Sequence, residues 1–165
     1  MRSYLFVLLT LLLTTTAPAA EVSVERVDIV GKGLYKVETG EQTPDPEVPT
    51  GSIALPLKFT NIEKTDMVPA RVGVEFGFEY MIVGSPGGAE VPLEFGITYP
   101  DAGLPDPESP SPLHESNFQG NKPVGEVVYF GYGFENDWEL VPGVWTFAIM
   151  YQGRVLAEQE FTVVE

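Results

Sequence analysis

Across residues 71–83 the apolar side chains fall at every second position. Val72, Val74, Phe76, Phe78, Tyr80 and Ile82 alternate with Arg71, Gly73, Glu75, Gly77 and Glu79. Successive side chains of an extended strand point to opposite faces, so a period of two builds one thick apolar row that has to be buried against a second layer. Gly73 and Gly77 bring no side chain to the opposite face and mark a bulge or a close approach by another backbone.

The pattern recurs near the C-terminus. Trp145, Phe147, Ile149 and Tyr151 alternate with smaller residues, Gln152-Gly153 supplies a tight turn, and Val155, Ala157, Phe161 and Val163 continue on a return strand. Val141-Pro142-Gly143 is a turn signal ahead of that hairpin. Further strands are expected over 22–30, 34–39, 53–62, 91–99 and 124–134. No window carries a long 3.6-residue apolar period free of Gly and Pro, and fifteen prolines and seventeen glycines cut the chain into short pieces. The expectation is an all-β protein, an immunoglobulin-like antiparallel β-sandwich of seven or eight strands, with a small barrel as the alternative. Two polar, proline-rich connections are expected over 40–51 and 100–123. The second is long for a compact domain, and such loops are usually functional or mobile.

The N-terminus has its own signature. Arg2, the apolar run LFVLLTLLL and the small residues Ala17-Pro18-Ala19 read as a secretory signal over residues 1–19. The run falls well short of the ~20 apolar residues that a membrane span needs. Residues 20–165 are then one sandwich domain, periplasmic or secreted, with no membrane span after signal removal. A domain of that size buries roughly two-thirds of its unfolded surface, enough for one core. That core is required, because the chain has no cysteine. Disulfides, thiol nucleophiles, Cys-based zinc sites and a lipid-modified cysteine are all excluded. Acidic residues number 24 against nine basic ones, a formal net charge of −15. A field of that sign repels nucleic acid and anionic membrane surfaces and favours cationic partners.

Three stretches carry a family resemblance. VPARVGVEFGFEY at 68–80, WELVPGVWTF at 138–147 and LAEQEFTV at 156–163 resemble the uncharacterised bacterial domain-of-unknown-function family 3859, and the likeness runs over 27–164. The resemblance implies one complete exported β-sandwich domain. It carries no activity and no site residues with it.

No catalytic constellation stands out. His114 is the one histidine, and Glu115 and Ser116 beside it do not make a triad, which depends on spatial geometry. Paired carboxylates for glycoside hydrolysis are likewise a matter of spatial separation. Oxygen-rich stretches that could suit calcium are Asp101, Asp106 and Glu108, and Glu135, Asn136, Asp137 and Glu139, but neither has the spacing of a known calcium loop. Gly84-Ser85-Pro86-Gly87-Gly88 lacks the lysine and helix of a phosphate loop and reads as a hairpin turn. The expectation is no metal, no cofactor and no enzyme activity. Aromatics remain: in Tyr129-Phe130-Gly131-Tyr132-Gly133-Phe134, alternation buries Tyr129 or Phe130, while Trp138 is open to either role. The binding candidates are Tyr132, Trp138, Asp137, Glu139 and His114, facing an unknown protein or glycan partner. The main reading is an exported binding or accessory module acting through loops; the alternatives are a carbohydrate-binding or weakly hydrolytic domain and a structural envelope accessory protein. No oligomeric state follows from the sequence.

Overall fold

A computed structural model describes residues 21–44, 51–105 and 110–165, without the side chains of 53–55. The expected signal over 1–19 lies outside the described residues, as do 45–50 of the first proline-rich connection and the calcium candidates Asp106 and Glu108. Among the described residues the strands are β1 (Ser23–Pro44), β2 (Ser52–Glu63), β3 (Met67–Pro69), β4 (Glu75–Ser85), β5 (Glu90–Thr98), β6 (Glu115–Pro123), β7 (Val127–Gly133), β8 (Gly143–Tyr151) and β9 (Arg154–Val164). They form a four-stranded sheet in the order β2-β1-β4-β7 and a five-stranded sheet in the order β3-β9-β8-β5-β6.

The architecture is the expected all-β sandwich. The described strands number nine rather than seven or eight. The segments 22–30 and 34–39 are one strand, because β1 absorbs irregularities at Val24/Arg26 and Ile29/Gly31 as bulges and keeps pairing with β4. Two strands carry no apolar alternation of their own. β3 is three residues long and pairs in parallel with β9, the one parallel ladder among the described strands. β6 lies inside the expected 100–123 loop, where its backbone completes the sheet along the whole length of β5. The segment 84–88 does not close a hairpin: β4 and β5 lie in different sheets, and it carries the chain between them.

The core forms where the inner faces of the sheets meet. β4 contributes Phe76, Phe78, Tyr80 and Ile82, each 0% exposed. Across from them lie Val91, Leu93, Phe95 and Ile97 of β5, Trp145, Phe147 and Ile149 of β8, and Phe161 and Val163 of β9, all buried. Phe76 sits at the centre, with edge-on contacts to Trp145, Phe147 and Phe161 at centroid distances of 5.8, 5.6 and 5.4 Å. Edge-to-face geometry sets the positive rim of one ring on the negative face of the next.

Two residues leave the rows that alternation gave them. Val72 is exposed, because Gly73 turns the chain at φ +86° and β4 starts only at Glu75. Val155 is exposed because a register shift in the β8–β9 ladder between Ile149 and Met150 moves it out of the row of Ala157 and Phe161. The Gln152-Gly153 turn matches its sequence signal, with both residues at positive φ as a two-residue type I′ hairpin needs.

Candidate functional site

Beyond β7 the chain runs through Phe134, whose backbone bonds Gly73 and Val74, into a 3-10 turn at Asp137–Glu139. Glu139 decides the shape of this corner. It is 0% exposed. Its Oε2 accepts from the backbone N–H of Glu135 at 2.6 Å and of Asn136 at 2.5 Å, and its Oε1 accepts from the Tyr132 hydroxyl at 2.8 Å. A carboxylate with three donors is a strongly bonded group, and here it holds the turn onto the end of β7. Burial, reinforced by the Glu139 charge, pushes the Tyr132 phenol far above its ordinary range, so Tyr132 remains a donor.

Neighbouring polar groups roof the same end of the core. The Tyr99 hydroxyl and the Ser116 Oγ share a hydrogen bond of 2.7 Å, and burial pushes the Tyr99 phenol up to about 12. The Trp145 indole N–H donates to the Val141 carbonyl at 3.0 Å, and its ring meets Tyr99 in a T-shaped contact at 4.9 Å and Tyr132 in a tilted one at 5.1 Å. The 100–104 stretch lies alongside: it meets Gly143 through Pro100, and Leu104, fully buried, exchanges two backbone hydrogen bonds with Leu113.

The structure therefore brings Tyr132 and Glu139 together and spends both inside the fold. Trp138 is half-buried, with one side packed on the core, and Asp137 beside it is exposed. The side chain of His114 is exposed and stands over Gly103, while its carbonyl accepts from the Tyr99 N–H at 2.9 Å. Ser116 is committed to Tyr99 rather than to His114. Of the oxygen-rich stretches, Asp101, Glu135, Asn136 and Asp137 are exposed. Among the described residues no group of three or more histidines or acids is placed to hold a metal ion, and no helix is long and apolar enough to cross a membrane.

A second cluster, on the outer face of the four-stranded sheet, was not anticipated as a unit. Tyr35 of β1, Phe59 of β2 and Tyr129 of β7 meet there, with Tyr129 centred 4.8 Å from Tyr35 and 5.6 Å from Phe59. Phe130, the neighbour of Tyr129, faces the core, so both are buried on opposite faces. The floor is glycine. A Cβ on Gly77 would stand 2.5 Å from the Gly131 Cα and 2.9 Å from the Tyr129 hydroxyl, which confirms the close backbone approach read from the sequence. Glu75 accepts from the Tyr129 hydroxyl at 3.4 Å; burial raises its carboxyl, the Tyr129 bond partly offsets this, and nearby Glu135 adds to the rise. The sequence signal was the set of glycines Gly31, Gly33, Gly77, Gly131 and Gly133, legible only once register put them side by side.

Comparison with known proteins agrees with this geometry. A family model described as a domain of unknown function (DUF3859) matches residues 23–163. No curated protein matches the sequence. Among solved structures, an immunoglobulin-like protein from Pseudomonas aeruginosa is similar with a TM-score of 0.54 and 24% sequence identity, covering 90% of this chain and 100% of that one. At that identity the likeness speaks for the fold alone.

Proposed function

Because the chain belongs to the family described as a domain of unknown function (DUF3859), we propose that it is a non-enzymatic binding module, exported to the periplasm or beyond, that engages a protein or glycan partner through one end of its sandwich. The observation that carries this reading is the buried Glu139, whose three hydrogen bonds fix the 137–139 turn. A turn held this way presents Asp137 and the open side of Trp138 with little entropy left to lose on binding. Loops on a rigid scaffold are the usual seat of recognition. The half-exposed indole suits stacking on a sugar or an apolar anchor of a protein. The signal-like sequence pattern over residues 1–19 supports export. The absence of a catalytic role is inferred from the placement of Tyr132, Glu139 and Ser116, whose polar atoms are occupied inside the fold.

The test uses the tagged protein without its leader against a glycan array and an envelope extract, beside Trp138→Ala and Asp137→Asn. The expected result is a partner retained by the parent protein and weakened about tenfold or more by Trp138→Ala, the loss typical of a binding anchor. Asp137→Asn alters an exposed group and leaves the fold intact, so its binding reads the site separately from stability. Equal retention by both variants would move the site elsewhere.

A further inference from the structure

We propose that β6 is a self-association edge, through which a second copy of this chain joins in antiparallel fashion about a two-fold axis at Gln119. β6 ends the five-stranded sheet, and among the described residues no strand lies beyond it. Its nine residues pair with β5 without a register shift, from Thr98–Glu115 to Glu90–Pro123. Just ahead of this ladder the Tyr99 N–H donates to the His114 carbonyl at 2.9 Å. Hydrogen-bonded and non-bonded pairs alternate in an antiparallel ladder, so Ser116, Phe118, Gly120 and Lys122 direct their backbone groups at β5. The backbone groups of Glu115, Asn117, Gln119 and Asn121 then point outward. A row of unpaired donors and acceptors is a template for another strand.

The other sheet edges are blunted. β3 is three residues long. β2 carries Pro56 and meets β1 through three register shifts. β7 has seven residues, two of them glycine. β6 has no bulge and no proline before Pro123. Its one lysine, Lys122, lies over the Phe95 ring at 5.8 Å rather than across the edge.

The side chains select a second copy as the occupant. Full overlap of β6 with itself sets residue 115 opposite 123 and therefore Gln119 opposite Gln119. Asn117 then faces the second copy's Asn121. These three side chains are exposed and share one face of the strand. A carboxamide is donor and acceptor at once, so identical amides bond each other across the axis, which carboxylates or ammonium groups do not. On the other face the half-buried Phe118, stacked on Phe95 at 5.1 Å, stands opposite the second copy's Gly120. An aromatic ring across from an edge glycine is a device that pins strand register. The strand carries one acid and one base, so the seam is neutral although the chain has a net charge of −15. Glu115 and the second copy's Glu90 are separated by two strand spacings, about 10 Å. That is about one Debye length at 0.1 M salt, so added salt strengthens the contact. A contact one strand wide belongs with small, transient interfaces, and the dimer is a weak, reversible one. Any binding site of the monomer is then present twice in one particle, which raises avidity.

Sedimentation velocity of the protein without its leader, from micromolar to millimolar concentration, tests this. The expected result is a monomer–dimer equilibrium that moves towards dimer as salt rises. Gln119→Lys and Gln119→Glu each set like charges opposite on the axis and should weaken the dimer about fivefold. An equimolar mixture of the two variants should restore it, because opposite charges then meet; a loss of folding in either variant would not be rescued by mixing. Gln119→Pro deletes an N–H that the monomer does not use. It should weaken the dimer about tenfold or more with little change in the Tm of the monomer. A monomer under all conditions, a dimer as tight in both charge variants as in the parent, or a mixture no tighter than either variant alone would overturn the proposal.

Discussion

Glu139 shows how much one residue can settle. A carboxylate is among the least common groups to find fully buried, and it persists here because all of its charge is directed at donors: one phenol and two backbone amides. Glu139→Ala would leave three donors facing an apolar end of the core. The expected cost is about 3 kcal/mol or more, or roughly 10 °C in Tm for a domain of this size. Glu139→Gln keeps one acceptor oxygen but turns an amide toward a donor, and should fall between the two. Thermal denaturation of the three proteins checks the order; an unchanged Tm in Glu139→Ala would show that the network contributes nothing.

At the scale of elements, the contacts between strands are set as much by missing side chains as by present ones. β4 and β7 approach so closely at Gly77 and Gly131 that neither has room for a Cβ. Gly73, two residues ahead of β4, has open space around it and is glycine only for its φ of +86°. These are different physical demands, and substitution separates them. Gly73→Ala meets only the backbone penalty, about 1 kcal/mol. Gly77→Ala has to push two strands apart and should cost about 3 kcal/mol or more. Denaturant unfolding of both variants tests the contrast, and equal losses would contradict the close approach.

For the whole molecule, charge and burial act together through pH. Burial holds the Glu75 carboxyl above its ordinary value of 4.5. The native state therefore binds this proton more tightly than the unfolded chain does. The resulting stabilisation is fully present below the ordinary value and disappears as pH rises through the folded one. With a net charge of −15, the fold also carries self-repulsion at neutral pH that mild acidification relieves. Tm should accordingly rise as pH falls from 7 towards 5. Glu75→Gln, which removes the buried charge, should raise Tm at pH 7 and flatten this dependence. Scanning calorimetry across the range checks both; parallel curves for the two proteins would assign the whole effect to net charge.

Alternation alone determined that Phe76, Phe78, Tyr80, Ile82, Trp145, Phe147, Ile149 and Phe161 form the core, because a period of two is a local property of extended backbone and an oily row has only one place to go. The turn at Gln152-Gly153 was legible for the same reason. The partnerships were decided in three dimensions. β6 has no apolar row and is a strand only because β5 offers it an edge. Tyr132 meets Glu139, and Tyr35 meets Tyr129 across an intervening strand, because register and a folded corner bring them together. Sequence records which face a residue wants, whereas which neighbour it finds there depends on how distant segments pack, and no local period encodes that.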